Sequence, residues 1–525
     1  MRGLLLKIKY SANIYRLYPL IFLILAACAG PVIIDTPTMT INPPTQTQIV
    51  IPDDHVEYIT QSGDTLKVVA THFGVDVEQI ISTNTLINDG LLDPGERLWI
   101  PEIINKTTSS ERLIPDSDVI FSSSATNFNL SQFLAEYEGH LKNYSQVLNY
   151  GPTSGVQIIE ELARDYSINP RVLLTLLEYF SGWVRGEPKT KEEGYYPFGF
   201  VKSDRVGLYR QTSWVIRQLM DGYYGWRAGT VNEVTFADKS SLRLSPNLNA
   251  GTVAVMYYLA QLSNPDEWQV GLKSIAEIHT ELFGDPWKRA QDVEPLFPDN
   301  LKQPELRLPF PDNQTWNYTC GPHVAWGRYG NQPLAALDFA PPLDRPGCGN
   351  SVHWALAIAP GLVVRAGNGA VVVDVNYDGD EHTGWVILYM HIANTGRIEV
   401  GERVNIGDRI GHPSCEGGSS TGIHVHVARK YNGEWVLADG GLPFVLSGFR
   451  AENGEGFCGG RLVRNNRIVE AYPWGSYKTK ICQPELDVCA TPTPTNTPTH
   501  RPTKTATPTR TPKATQVASL TPEDG

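Results

Sequence analysis

The residues best placed to do chemistry stand in the run Ser419-Ser420-Thr421-Gly422-Ile423-His424-Val425-His426-Val427. Along a strand successive side chains face opposite ways, so His424 and His426 project together while Val425 and Val427 turn to the core. Two imidazoles on one face can hold a metal ion, or one can hold it while its neighbour handles a proton. The glycine-rich approach from Gly417 to Gly422 suits a place where substrate backbone must come close. A second constellation, Asp374-Val375-Asn376-Tyr377-Asp378-Gly379, opens like a calcium-binding loop, but its twelfth position is Trp385 where a bidentate carboxylate is needed. It reads as a polar hairpin tip.

The elements that must position these histidines change character along the chain. With 525 residues the sequence is too long for one hydrophobic core, and two to four domains are expected. From about residue 306 short apolar runs broken by glycine (361–366, 370–375, 385–390, 424–428) predict an antiparallel sheet. Residues 126–305 read as mostly helical. Val156, Ile159, Leu162 and Ala163 share one face, Asn169-Pro170 opens a new helix, and Leu173, Leu174, Leu176 and Leu177 make that helix apolar nearly all round. Earlier, a strand from Tyr58 leads into a helix with Leu66, Val69, Ala70 and Phe73 on one side, stopped at Gly74. A second helix is expected around Val77, Ile80 and Ile81, and a closing strand, 96–101, follows the Asp93-Pro94-Gly95 turn. Residues 29–54 and 491–525, rich in Pro and Thr, lack the apolar surface to fold and read as tethers.

The net charge of −12 leaves no basic surplus to neutralise phosphates, which argues against a nucleic-acid partner. Arg2, Lys7, Lys9 and Arg16 precede an apolar run from Leu17 to Ala27 and then Cys28, the layout of an export signal. The run is too short for a permanent span, which takes about 20 apolar residues. Setting Cys28 aside, Cys320, Cys348, Cys415, Cys458, Cys482 and Cys489 form an even set, read in an exported chain as up to three disulfides of undetermined pairing.

Four resemblances sharpen this reading. Leu25-Ala26-Ala27-Cys28 resembles the bacterial lipobox, which implies lipidation of Cys28 and anchoring to a membrane. The strand, helix, helix, strand unit at 58–101 resembles the LysM module and implies binding to glycans that contain N-acetylglucosamine. The stretch from Ile168 to Trp183 is faintly similar to the catalytic helix of lysozyme-like transglycosylases, but Phe180 stands where they carry the acid, and a phenyl ring donates no proton. Glu178 is turned to another side of the helix, so a non-catalytic spacer or glycan-holding domain is expected. Finally, Cys415 to His426 with Tyr431-Asn432-Gly433, Gly321-Pro322-His323, Leu337-Asp338-Phe339-Ala340, Leu388-Tyr389-Met390-His391 and the hairpin expected from Val400-Gly401 to Ile410-Gly411 resemble the M23 peptidases, particularly their β-lytic branch.

That resemblance implies His323, Asp338 and His426 as ligands of a catalytic zinc, with His391 and His424 sharing water activation and oxyanion stabilisation in an order the sequence leaves open. His353 is a conceivable substitute for His323, Asp338 could be a turn acid, and His412 reads as a solvated turn residue. Ile423, Val425 and Val427 depart from the family's usual Pro, Leu and Phe without removing a ligand.

The expected architecture is multidomain α+β: a signal peptide (1–27), a linker (28–55), a LysM module (56–101), a linker (102–125), a helical domain (126–305), an M23 peptidase domain (306–455), a cysteine-containing extension (456–490) and a Thr/Pro-rich tail (491–525). The function implied is zinc-dependent hydrolysis of peptide bonds in bacterial peptidoglycan, outside the cytoplasm at the cell envelope. Two alternatives stand beside it: a non-catalytic activator of cell-wall amidases, and a peptidase whose cleft the helical domain covers.

Overall fold

The computed structural model describes residues 51–327, 331–342 and 347–483. The signal segment, Cys28, most of the first linker, Cys489 and the 491–525 tail lie outside the described residues.

The first element group is a three-stranded antiparallel sheet. Arg97–Pro101 sits between His55–Ile59 and Ile81–Ser82. Against it lies the Leu66–Phe73 helix, started by the Thr65 hydroxyl accepting the Val68 N–H and ended by Gly74 at φ 68°. Leu66, Val69, Ala70 and Phe73 close a small core with Tyr58, Leu98 and Ile100. The second helix shrinks to a single 3-10 turn, Val77–Gln79. Ile81 pairs with Trp99 and draws the chain into a strand before another turn can form.

The middle segment is built on five longer helices, Gly155–Tyr166, Pro170–Ser181, Leu208–Arg227, Ala250–Ala260 and Pro265–Phe283, with two short hairpins beside them. Asn169 caps the second of these, with Pro170 at its first position where a missing N–H costs nothing. The stretch expected as a second linker is part of this body instead. Ile114, Val119, Ile120 and Ala125 are buried in it, and the Asp116 carboxylate accepts from Asn249 Nδ2 and from the Gly251 N–H. Glu178 is structural: it accepts the N–H groups of Val184 and Arg185 and pairs with the Arg185 guanidinium at 2.8 Å, closing the turn after its helix.

The third group is a nine-stranded antiparallel sheet. Its main order is Arg403–Val404, Gly361–Gly367, Ala370–Asp374, Trp385–Met390, Val425–Tyr431, Leu334–Ala340, Trp316–Val324 and Lys480–Ile481, and Glu434–Trp435 folds back on Val425–Tyr431. Two details differ from expectation. Arg403–Val404 pairs with Gly361–Gly367, and Arg409–Gly411 pairs with Ala355–Leu356, so the two are not arms of one hairpin. The boundary placed at residue 455 cuts the Phe449–Asn453 and Gly460–Arg464 hairpin, and Lys480–Ile481 joins the main sheet, so the cysteine-containing extension belongs to this body. Asp374 accepts from the Asn376 and Gly379 N–H groups, as a hairpin tip should.

The sheet is buried on both faces, which is why its strands read as continuous apolar runs. Val371, Val373, Ile387, Tyr389, Val425 and Val427 pack into the sheet's own core. On the other face Val372, Val386, Leu388 and Ala428 join the core of the helical body. The turn between Val425–Tyr431 and Glu434–Trp435 is seated in that body. Ser167 Oγ donates to the Gly433 carbonyl at 2.7 Å, Trp435 Nε1 donates to the Tyr166 carbonyl at 3.1 Å, and a Cβ at Gly433 would run into the Phe121 carbonyl. Beneath this turn Arg227 pairs with Glu434 (2.9 Å) and Asp116 (2.8 Å) and donates to the Ser62 carbonyl, so one buried guanidinium touches all three element groups.

Candidate active site

Four adjacent antiparallel strands converge their polar residues at one end of the sheet. Across Val425–Tyr431 and Leu334–Ala340 the register sets His426 opposite Asp338, and on the other side His426 stands opposite Met390, the residue before His391. His323 comes from the Trp316–Val324 strand, whose bulged pairing with Leu334–Ala340 turns it toward Asp338. His424 lies just ahead of its strand, two residues from His426 and on the same side. All five residues singled out in the sequence meet here.

The distances are those of a ligand cage. His323 Nε2 and His426 Nδ1 are 3.0 Å apart, and each is 3.2 Å from Asp338 Oδ1. Asp338 Oδ1 is buried without an aligned hydrogen-bond partner and stands beside the two imidazole nitrogens. A tetrahedral zinc with arms of about 2.0–2.1 Å spaces its ligands roughly 3.3 Å apart. The other nitrogen of each ring is committed to the main chain: His323 Nδ1 donates to the Gly321 carbonyl (2.8 Å) and His426 Nε2 to the Ala325 carbonyl (3.0 Å). Those bonds fix the tautomers and aim the free lone pairs inward. Cys320 lies within the same 4.8 Å cluster, but its sulfur is bonded to Cys458 and offers no thiolate.

Beside the cage, His391 and His424 stack at 4.4 Å between ring centroids. His391 Nδ1 donates to the Glu416 carbonyl (2.9 Å), which leaves Nε2 a free lone pair. Its backbone sits in the left-handed region at φ 61°, a conformation costing on the order of 1–3 kcal/mol, and its carbonyl is clamped by the Ser414 N–H and hydroxyl. His424 Nδ1 meets the Gly422 carbonyl at 2.8 Å, and Nε2 stands 3.3 Å from Asp338 Oδ2. Burial alone would raise the Asp338 carboxyl, but His323 and His424 outweigh it and hold the group well below the usual carboxylate range. Burial, reinforced by His424 and His426, brings His391 down to about 3.

Two disulfides brace the surroundings. Cys320–Cys458 ties the His323 strand to the C-terminal hairpins, and Cys348–Cys415 pins the loop that supplies the Glu416 carbonyl. Cys482 is disulfide-bonded as well. His353 lies apart from the cage, its ring 6.4 Å from that of Trp316, and does not replace His323. His412 is half-buried rather than solvated, packed 3.8 Å from Trp354 and donating to the His353 carbonyl.

The cleft over the cage measures about 840 Å³, and the helical body supplies one wall of it: Tyr150, Glu161, Asp165, Tyr166 and Tyr209. These residues carried no signal in the sequence, because nothing local marks a helix face that meets a distant sheet.

Residues 112–296 match the family described as "LasA, N-terminal domain", and residues 58–101 match the LysM domain. Protease LasA of Pseudomonas aeruginosa is 26% identical over 379 residues, covering 67% of this chain and 81% of its own length. The β-lytic metalloendopeptidase of Achromobacter lyticus is 28% identical over 182 residues, covering 30% of this chain and 45% of that protein. The chain is thus similar to M23-type metallopeptidases, with a LysM match ahead of the helical segment. Among solved structures, the M23 metalloprotease pseudoalterin, described as from the deep sea, aligns at 24% identity over 33% of this chain and 96% of its own, with a TM-score of 0.27. The chain is a metalloendopeptidase, and the orphaned Asp338 oxygen beside two imidazole nitrogens is a donor set that fits a zinc ion. The 112–296 match also accounts for the segment that faintly resembles lysozyme-like enzymes.

Proposed function

We propose that this metalloendopeptidase hydrolyses peptide bonds in bacterial peptidoglycan, with His323, Asp338 and His426 holding the zinc and with the LysM domain binding the glycan. The observation that carries the site assignment is the convergence of His323 Nε2, His426 Nδ1 and Asp338 Oδ1 within 3.0–3.2 Å, with the buried Asp338 oxygen lacking an aligned hydrogen-bond partner. When bound, zinc polarises the scissile carbonyl and lowers the pKa of a coordinated water toward about 7.

The chain's own residues divide the remaining work. His391, with its Nδ1 proton committed to Glu416 and its Nε2 lone pair free, takes the proton of the attacking water. His424, its Nδ1 held by the Gly422 carbonyl and its Nε2 turned to the cage, steadies the carbonyl oxygen as it gains charge. The left-handed backbone at His391 and the Ser414 clamp keep the base in place. A lipid on Cys28 would hold the exported chain at the envelope, and the LysM domain in the same compact body would keep the cleft beside the wall. The full set of five polar residues speaks against a purely contact-acting activator of amidases.

The test is digestion of purified peptidoglycan by a soluble form beginning at residue 29, followed as new free amino groups. Release that stops on zinc chelation and in His426→Ala supports the reading. Absence of release from several wall types by zinc-loaded protein that still cleaves a sugar-free peptide overturns the choice of substrate.

A further inference from the structure

Seven large aromatic side chains among the described residues are exposed; two of them line the cleft and three more flank a residue that does. Phe457, 81% exposed, lines it directly beside the Cys320–Cys458 disulfide, and Tyr150, 66% exposed, lines it from the helical wall. The other three lie in the connection between the Arg467–Glu470 and Lys480–Ile481 strands. Pro473 of that connection lines the cleft, and Tyr472, Trp474 (78% exposed) and Tyr477 (79% exposed) lie within four residues of it. The connection is built rather than loose. The Tyr472 N–H bonds the Tyr318 carbonyl, the Gly475 N–H closes a turn onto the Tyr472 carbonyl, and Ser476 caps the Tyr477–Thr479 turn whose Thr479 hydroxyl bonds Asn317 Oδ1 at 2.9 Å.

Exposed aromatic surface on this scale marks an interaction site, because each such ring forgoes roughly 1.5–3 kcal/mol of burial. No described Lys or Arg lines the cleft, whereas Glu161, Asp165 and Glu416 do, so the rim is ill suited to an anionic partner. Flat, uncharged rings with C–H groups on their faces are what Trp and Tyr faces bind well, and the sugar rings of a glycan strand are of that kind.

We propose that Trp474 and Tyr477, continued into the cleft by Phe457, form a stacking platform for pyranose rings of the glycan strand whose peptide enters the active site. The platform lies beside the peptidase cleft and is separate from the LysM domain; the inference rests on the peptidoglycan reading above. The experiment compares wild type with a Trp474→Ala, Tyr477→Ala double variant, LysM domain intact, on two substrates: purified peptidoglycan, and a glycine-rich peptide with no sugar. The expected result is a rise of about tenfold or more in the half-saturating concentration of peptidoglycan with peptide cleavage unchanged, together with weaker binding of peptide-free glycan strands. Equal losses on both substrates, no change on either, or a loss of binding confined to phospholipid vesicles would overturn it. Failure of wild type on peptidoglycan would instead strike the parent reading, which keeps the two failures distinct.

Discussion

Replacing Arg227 by Met tests the junction on which the three element groups meet. The guanidinium is 7% exposed and its partners Asp116 and Glu434 are 7% and 2% exposed. Met keeps most of the stem's volume and removes the charge, so two carboxylates are left facing each other across a dry site. Breaking a buried pair by removing one partner costs about 3–5 kcal/mol, and the loss of the donor to the Ser62 carbonyl adds about 1 kcal/mol. The expected outcome is a fall of roughly 4 kcal/mol in urea-induced unfolding, read from the midpoint at constant slope. Adding Glu434→Leu should recover part of that loss, because one orphaned carboxylate disappears with its partner already gone. A single variant losing less than about 1 kcal/mol, or a double variant whose cost is the sum of the two single ones, would refute the argument that this guanidinium neutralises the junction.

Further outcomes follow from the site and its braces. His426→Ala and Asp338→Ala should each lose bound zinc by elemental analysis, whereas His391→Ala should keep the metal and lose about 10²–10⁴-fold in kcat, the range expected for a general base. Reduction of Cys320–Cys458, which closes a sequence separation of 138 residues, should lower stability by on the order of 5 kcal/mol, measured as a shifted urea midpoint in a Cys320→Ser, Cys458→Ser variant. Burial, with Asp116 adding to it, pushes Glu294 up to about 7, and burial pushes Asp64 up to about 6. Both groups therefore bind protons more tightly folded than unfolded, so their stabilising share is complete below about pH 4 and is lost as pH rises through about 6 to 7. The melting temperature should fall between pH 5.5 and 8, and a Glu294→Gln, Asp64→Asn variant should flatten that slope.

The candidate site was legible in part because some of its logic is local. Alternation on one strand sets His424 and His426 together, and resemblance supplied His323, Asp338 and His391 at positions where the structure brings them to one point. The first helix and its Gly74 stop, Asn169 as a cap and the antiparallel sheet were equally plain from periodicity and punctuation. What escaped were matters of long-range contact. Residues 102–125 look like a linker because Ile114, Val119 and Ile120 follow no periodicity, yet they are buried against helices more than a hundred residues away. The second LysM helix was overdrawn because three apolar residues at helical spacing cannot reveal that Ile81 is claimed by Trp99. His412 looked solvated because a turn position says nothing of Trp354 lying over it.

The sharing of one apolar core between the helices and one face of the peptidase sheet bears on modularity. Val372, Val386, Leu388 and Ala428 have no cover of their own, and the turn at Gly433 is shaped to a carbonyl in another segment. A recombination event that transplanted residues 306–483 alone would deliver an aggregation-prone sheet, so the helices and the sheet are heritable as a unit.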